Sequence, residues 1–207
     1  MNKWTKKQMA YEVLELIEDK SVINLGIGIP TLVAESANEE KNLVIHSENG
    51  VLGINGRPSL QEVTPTLINA GKETVSVAPG ASFFDSSLSF GMIRGGHIDV
   101  TVLGAMEVDV HGSLANWSIP GKKITGMGGA MDLVNGPKVV IAMMYHFNRD
   151  GVSKLVKNCT LPLTGENVVH YIVTDYGVFQ PNSQEGRFDI IKLSGNMDQE
   201  FLKDKLY

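Results

Sequence analysis

Glu48 stands in the segment His46-Ser47-Glu48-Asn49-Gly50, directly after a predicted buried strand and two residues before a glycine. In open α/β sheets ligands bind at the carboxyl ends of the strands, so this side chain stands where chemistry usually occurs. A carboxylate there can be a general base, a metal ligand or a covalent nucleophile, and position alone does not separate these roles. Glu48 is therefore a candidate catalytic residue, and a glutamate that serves only the turn is the alternative.

Two glycine-rich turns could hold negative charge through their backbone amides. Gly126-Met127-Gly128-Gly129 has three glycines in four residues, which can aim consecutive N–H groups at an oxyanion, although functionless glycine turns are also common. Gly26-Ile27-Gly28-Ile29-Pro30-Thr31 imitates a dinucleotide-binding fingerprint, with Glu48 about twenty residues on. Thr31 replaces its third glycine and Pro30 lacks an amide, so a plain strand-to-helix turn is the stronger interpretation.

The remaining polar residues carry weaker signals. Cys159 could pair with a histidine as nucleophile and base, but a lone cysteine is more often a small, buried and inert side chain. Asp99, Asp109 and His111 could be drawn as metal ligands, although turn propensity explains the last two. We therefore predict no metal site.

The elements that must position these residues follow from local patterns. Thr5 and Gln8 form a capping-box pattern, and apolar residues recur at helical spacing through Asp19. A strand, a tight turn, a helix and a strand then follow at 21–25, 26–29, 31–38 and 43–46. This order is typical of a βαβ unit, and right-handed crossovers build such units into a parallel sheet covered by helices.

The rest of the chain continues this pattern. Further strands are predicted at 74–78, 98–103, 138–142 and 168–174, helices at 85–94 and 198–205, and a hairpin over 107–117. With 43% hydrophobic and 20% charged residues, a chain of 207 residues buries a core that needs no disulfide or metal. We expect a single α/β domain over residues 1–207, with a largely parallel sheet flanked by helices.

Charge and apolar content exclude several classes of function. Lys and Arg number 18 and Asp and Glu 23, a formal charge of −5, so neither nucleic acid nor an anionic membrane is an expected partner. The longest apolar run, 139–145, is far shorter than the roughly 18 residues that suggest a membrane span. Acidic residues after the basic N-terminus argue against a cleavable signal. A single cysteine fits a reducing compartment, so we predict a cytoplasmic protein.

The two glycine turns and Ser47-Glu48-Asn49-Gly50 together resemble the beta subunit of family I coenzyme A transferases. The likeness runs through nearly the whole chain and includes 83–87, 94–100, 116–117, 126–133 and 159–164. Relatives in this family act on acetoacetate, butyrate and acetate, or 3-oxoadipate. The resemblance implies the family's open α/β fold and a transferase of sulfur-containing groups, with a 3-oxo acid such as acetoacetate as the favoured substrate.

The resemblance assigns Glu48 as a covalent nucleophile. Its carboxylate attacks an acyl-CoA thioester to give an acyl-glutamyl anhydride, and CoA thiolate then converts this to a glutamyl-CoA thioester. A glutamate is ordinarily ionised at neutral pH and needs no partner base. The Gly129 amide is implied as an oxyanion donor, with Gly28 lining the pocket opposite. The other substrate- and CoA-binding positions are Asn24, Asn49, Gly50, Lys72 and Gly128.

The resemblance also implies a partner. The chain is acidic and CoA is anionic, so an alpha subunit of the same general fold is expected to bind much of the CoA, in a heterodimer or heterotetramer. Coenzyme A would be a substrate, and no tightly bound cofactor is expected. Two alternatives remain open, namely an aldose-ketose isomerase that uses Glu48 as a general base, and a non-catalytic regulatory subunit.

Overall fold

The fold is built on one nine-stranded sheet in the order β14-β13-β12-β10-β5-β1-β2-β3-β4. The computed structural model describes residues 3–37, 41–121, 123–124 and 126–195. The helices are α1 Lys6–Glu15, α2 Leu32–Ser36, α3 Ser86–Arg94 and α4 Ala130–Asn135, with a 3₁₀ turn at Ile29–Thr31. The strands of the large sheet are β1 Val22–Leu25, β2 Val44–Ser47, β3 Val51–Ile54, β4 Val77–Phe83, β5 Val100–Leu103, β10 Val139–Met143, β12 Tyr171–Val173, β13 Gly177–Asn182 and β14 Arg187–Leu193.

Two small sheets accompany the large one. The first has the order β11-β6-β7 and the second pairs β8 with β9. Their strands are β6 Glu107–Asp109, β7 Leu114–Ala115, β8 Ser118–Ile119, β9 Lys123–Ile124 and β11 Leu155–Val156. Strands β6 and β7 are antiparallel, so the hairpin predicted over 107–117 is confirmed.

The prediction of an α/β fold is confirmed, but the sheet is parallel only in its centre. Strands β12, β10, β5, β1 and β2 pair in parallel, whereas β3 and β4 on one edge and β13 and β14 on the other are antiparallel. Three of these four outer strands, β3, β13 and β14, were not predicted from the sequence, because antiparallel outer strands lack the continuous apolar runs that mark central parallel strands.

Most predicted elements are present, with shifted ends. The capping box is confirmed, since Thr5 Oγ1 accepts from the Gln8 amide at 3.2 Å and the Thr5 amide donates to Gln8 Oε1 at 2.8 Å. Helix α1 nevertheless ends at Glu15, four residues before the predicted end. The strand predicted at 74–78 begins at Val77 and runs to Phe83. The helix predicted at 198–205 lies outside the described residues.

Two apolar clusters cover the two faces of the large sheet. On β5, Val102 belongs to the cluster beneath α1 and α2, whereas Leu103 belongs to the cluster beneath α3 and α4. On β10, Ile141 and Ala142 alternate in the same way. This alternation is the period-2 pattern of strands that are buried on both faces, and it holds the carboxyl ends of the central strands rigidly together.

Candidate active site

Glu48 lies in the turn that joins β2 to β3, at the carboxyl end of a central parallel strand. Gly50 shapes this turn with a φ of +114°, and a Cβ there would overlap the carbonyl oxygen of Phe84. The Gly50 carbonyl also accepts a hydrogen bond of 3.0 Å from the Phe84 amide. Glycine alone meets both requirements without strain, so Gly50 fixes the backbone that carries Glu48.

Three buried polar side chains connect Glu48 to the protein interior. Asn24 Nδ2 donates to Glu48 Oε2 at 3.2 Å and lies 3.1 Å from His46 Nδ1. His46 Nε2 in turn lies 3.0 Å from Ser89 Oγ on α3. Asn24, His46 and Ser89 are each at most 1% exposed, whereas Glu48 is half-buried. We call Ser89, His46, Asn24 and Glu48 the buried polar chain.

The register of the sheet positions Asn24 and His46, the two central residues of the buried polar chain. Asn24 is paired in register with His46 on β2 and with Thr101 on β5, so three polar side chains form a row across the centre of the sheet. Burial lowers the pKa of His46 from its ordinary 6.5 to about 4, so its ring is neutral near pH 7. A neutral imidazole has one donor and one acceptor nitrogen, which suits a position between two polar neighbours.

The glycine loop before α4 lies beside Glu48. A Cβ at Gly129 would be 2.8 Å from the Phe90 ring and 3.8 Å from Glu48 Cγ. Gly128 has a φ of +50°, a conformation that glycine adopts readily. Within the described ranges, neither the Gly128 nor the Gly129 amide joins a backbone hydrogen bond. The loop therefore packs on Phe90, and Gly129 lies close to the Glu48 side chain.

Glu48 and this loop share one cleft of about 570 Å³. Its glycine wall includes Gly26, Gly104, Gly126, Gly128 and Gly129. Its side-chain wall includes Ile27, Ala70, Leu103, Met106, Asn116 and Met127. The predicted nucleophile and both predicted glycine turns are thus brought together, and the walls around them are mainly apolar.

Of the six predicted binding residues, Gly128 is among the described residues that line this cleft, whereas Asn24, Gly28, Asn49, Gly50 and Lys72 are not. Gly28 has a φ of +94° and precedes the 3₁₀ turn, while its neighbours Gly26 and Ile27 do line the cleft. Lys72 is exposed, with a φ of +64°, in the loop that contributes Ala70.

Asn49 ties the turn of Glu48 to the loop of residues 68–72. Its Nδ2 donates to the Ile68 carbonyl at 2.7 Å, and Ser47 Oγ accepts from the Ala70 amide at 2.9 Å. Asn49 and Gly50 thus both hold the turn in place. Asn24 is fully buried beneath Glu48, where it contacts the carboxylate directly.

The weaker candidates have structural explanations. Burial, reinforced by Asp109 and Glu107, raises the pKa of Cys159 to about 12, so this thiol is not a thiolate nucleophile. Asp99 accepts from the Val22 amide at 2.8 Å and from Lys138 at 2.7 Å. In the described part of the chain, no three His, Cys, Asp or Glu residues are grouped to hold a metal ion.

None of the helices described is long and apolar enough for a bilayer crossing.

Sequence reasoning missed His46, Ser89 and Phe90 as parts of the site. A usable signal was present for the first of these, because β1 and β2 read Val-Ile-Asn-Leu and Val-Ile-His-Ser, with a polar residue at the third position of each. A polar side chain within a strand buried on both faces needs a partner, so two such residues on neighbouring strands indicate a contact. No comparable signal marks Ser89 or Phe90, which belong to a helix distant in sequence.

Comparisons with known proteins identify the family. The profile of the family described as "Coenzyme A transferase" matches residues 7–193. The chain is 48% identical to the B subunit of the probable succinyl-CoA:3-ketoacid coenzyme A transferase of Bacillus subtilis (strain 168), over 98% of this chain and 93% of that relative. It is 46% identical to the beta subunit of the acetate CoA-transferase of Escherichia coli (strain K12), over 84% of this chain and 80% of that relative.

Solved structures show the same fold. The apoenzyme of an acyl-CoA transferase from Escherichia coli O157:H7 superposes with a TM-score of 0.76 at 21% identity, over 98% of this chain. The chain spans only 41% of the length of that enzyme. The same enzyme, solved as a thioester complex with CoA, gives a TM-score of 0.70, again at 21% identity, over 100% of this chain and 41% of that one. The family profile and the two close relatives confirm the predicted enzyme class, and the chain belongs to the coenzyme A transferase family.

Proposed function

We propose that this chain is the catalytic beta subunit of an enzyme that moves CoA between a short-chain acyl-CoA and a carboxylic acid, with Glu48 as the covalent nucleophile. The observation that carries the proposal is the placement of the Glu48 carboxylate. One oxygen is held by Asn24 at 3.2 Å, and the side chain faces the cleft beside Gly128 and Gly129. A fixed carboxylate in one cleft with a glycine loop suits acyl transfer, because each attack creates an oxyanion that backbone amides can bind.

The proposed reaction begins with the donor thioester. A Glu48 carboxylate oxygen attacks the acyl carbonyl, the carbon–sulfur bond breaks, and CoA leaves as a thiolate. The thiolate attacks the glutamyl carbonyl of the resulting anhydride and releases the first carboxylate, which leaves a glutamyl-CoA thioester. The acceptor carboxylate then reverses both steps. The thioester bond energy is conserved throughout, so no nucleotide is consumed.

The amides of Gly128 and Gly129 support the oxyanion role. An aimed backbone donor is typically worth about 2.7 to 4 kcal/mol at a tetrahedral intermediate. Both amides are unused in backbone hydrogen bonds within the described ranges, and Phe90 supports the loop from behind. The buried Asn24 Nδ2 contacts Glu48 Oε2, where it can stabilise charge on the glutamyl carbonyl oxygen.

The substrate class follows from the relatives and from the cleft walls. The two relatives are named for 3-ketoacid and acetate, and the E. coli O157:H7 enzyme was captured as a CoA thioester. The apolar side chains of Ile27, Leu103, Met106 and Met127 suit a short acyl chain, and they would exclude water from the reactive thioester once a second subunit covers them. We therefore propose acetate or a 3-oxo acid such as acetoacetate as the carboxylate substrate.

A second subunit is part of this proposal. Both relatives are named as one subunit of their enzymes, and the chain spans 41% of the E. coli O157:H7 acyl-CoA transferase. Ile27 and Met127 on the cleft are 67% and 41% exposed, and Ile124, two residues before the glycine loop in the sequence, is 75% exposed, so large apolar side chains face water here in the isolated chain. An alpha subunit that covers them would close the cleft. We further propose a cytoplasmic heteromer without a tightly bound cofactor.

The decisive experiment traps the intermediate. The chain is co-produced with its alpha-type partner, incubated with acetoacetyl-CoA, and reduced with borohydride or treated with hydroxylamine before peptide mass spectrometry. We expect a modification confined to the peptide that contains Glu48, and its absence in the Glu48→Gln variant. Glu185→Gln, in an exposed turn far along the chain, is the matched control and should retain the modification.

The shorter variant Glu48→Asp sharpens the test. Loss of one methylene displaces the carboxylate by about 1 Å, which is enough to lower the rate on the order of 100-fold. Full turnover in Glu48→Gln would exclude the covalent mechanism and favour the non-catalytic alternative. Turnover of a sugar phosphate without CoA would instead favour the isomerase.

A further inference from the structure

We propose that His46 and Ser89 are positioning residues that fix the Asn24 carboxamide and, through it, the Glu48 carboxylate during CoA transfer. This inference rests on the proposed role of Glu48 and extends it to residues beneath the sheet surface. Neither His46 nor Ser89 is among the described residues that line the cleft, so their effect must pass through Asn24.

The contacts of Asn24 determine the direction of its amide. Its Nδ2 lies 3.2 Å from Glu48 Oε2, 3.4 Å from the His46 carbonyl oxygen and 3.1 Å from His46 Nδ1. Two of these atoms can only accept from an N–H when the carboxylate is ionised. An inverted amide would place Oδ1 against both of them, so the donor must face Glu48.

This direction selects one tautomer of His46. Since Asn24 Nδ2 is a donor, His46 Nδ1 must accept and carry no proton, and the ring proton must lie on Nε2. Nε2–H then donates to Ser89 Oγ, 3.0 Å away. Ser89 accepts this hydrogen bond and so stabilises the tautomer that Asn24 selects, and Phe84 stacks on the ring at 6.0 Å with an interplanar angle of 12°.

The carboxamide oxygen of Asn24 does not help to hold the side chain in place. Its Oδ1 is buried without a hydrogen-bond partner in the described part of the protein. The carboxamide is therefore located from the Nδ2 side alone, by Glu48 and His46. If His46 Nδ1 no longer accepts a hydrogen bond from Asn24 Nδ2, the Asn24 carboxamide can rotate, because its Oδ1 has no partner to hold it. Glu48 Oε2 then loses a fixed donor. Holding Oε2 leaves the second carboxylate oxygen to attack the thioester.

The test is a double-mutant cycle on the complete heteromer, with the rate of glutamyl-CoA formation as the readout. We expect Ser89→Ala to lower this rate about tenfold with KM unchanged, since it removes one hydrogen bond, and Asn24→Ala to lower it more. In Asn24→Ala the further change Ser89→Ala should then have less than a twofold effect, because coupled residues are not additive. Ser87→Ala, an exposed serine on the same helix, is the control and should match wild type.

A conservative variant and a spectroscopic measurement complete the test. His46→Asn keeps an acceptor near the place of Nδ1 and should recover most of the rate that His46→Leu loses. In the wild-type protein, ¹⁵N NMR of the imidazole should show the Nε2–H tautomer, which needs no variant to fold. Additive effects of Ser89→Ala and Asn24→Ala, or an Nδ1–H tautomer, would overturn the inference. Absence of any adduct on wild-type Glu48 would instead overturn the proposed function.

Discussion

His46 and His146 are two buried histidines in different regions of the molecule, and His46 is the one whose contacts reach the site. Both are at most 1% exposed, and burial lowers the pKa of each to about 4. Both ring nitrogens of His46 have polar partners, and its chain of contacts ends on Glu48. The ring of His146 lies among three aromatic rings at 4.7 to 5.3 Å.

The polar atoms of His146 have partners other than those of His46. His146 Nδ1 lies 3.2 Å from Thr174 Oγ1, its backbone amide donates to Asp175 Oδ1 at 2.9 Å, and its Nε2 is buried without a partner within the described ranges. None of these contacts leads to the cleft. A displaced histidine pKa therefore does not by itself identify a functional site; what the ring nitrogens contact distinguishes the two cases.

The largest expected effect is common to both histidines and concerns acid stability. Between pH 6.5 and about 4 the unfolded chain protonates each histidine while the native chain does not. The histidine contribution to the free energy of unfolding should therefore fall as pH drops through this window, by roughly 3 kcal/mol for each histidine, and this contribution should stay constant below it. Urea unfolding at pH 7.5, 5.5 and 4.5 measures this loss.

Two single variants separate the contributions of His46 and His146 to the acid-induced loss of stability. His46→Leu and His146→Leu should each remove about half of the histidine-dependent loss between pH 7.5 and 4.5. Equal slopes in wild type and either variant would show that the buried ring in question titrates normally.

The second prediction separates the histidines by catalysis. His46→Leu removes the acceptor for Asn24 and should lower the rate of glutamyl-CoA formation on the order of 100-fold, as expected for a misplaced reacting group. His146→Leu should leave this rate within twofold of wild type. Stopped-flow or quenched-flow measurement on the heteromer at pH 7.5 checks both. A large catalytic loss in His146→Leu would contradict the separation of the two regions.

The same contrast shows what sequence can and cannot predict here. The strand ends that carry Glu48 and the glycine turn at 26–31 follow from local patterns, because buried strands and tight turns leave clear signals. The contact of Gly129 with Phe90 and of His46 with Ser89 depends on how α3 packs on the sheet. Such packing joins residues about 40 positions apart, and one sequence carries no record of it.

The outer strands of the sheet illustrate the same limit. β4 contains Pro79 and Gly80, which weaken the pattern of a strand, and it is stable at the sheet edge only because β3 pairs with it. The position of Asn24 on β1 was predicted, but its burial beneath Glu48 required the register with His46. Local propensity thus places elements, while tertiary contacts decide which side chains meet.

The third prediction compares a glycine from each region. In Gly129→Ala the added methyl meets the tip of the Phe90 ring at 2.8 Å, which can move, so we expect about a tenfold slower reaction with little loss of stability. In Gly177→Ala, beside Tyr176, the added methyl would overlap the backbone oxygen of Lys192. That variant should lose about 1–3 kcal/mol of stability while the folded enzyme keeps its rate. Initial rates and urea midpoints of both variants test this, and a reversed pattern would contradict it.

The smallest effect concerns what sets the pKa of each histidine. Burial alone lowers the pKa of His46, whereas the positive charges of Lys3 and Lys154 add to burial at His146. Lys3 is half exposed and lies 3.6 Å from Asp175, so Lys3→Met should cost less than about 1 kcal/mol near pH 7. Loss of its charge should raise the pKa of His146 slightly and leave that of His46 unchanged, so the acid-induced loss of stability should shrink a little. Histidine titration by NMR between pH 3.5 and 7 resolves the two rings, and an equal change at both would show that they share one electrostatic environment.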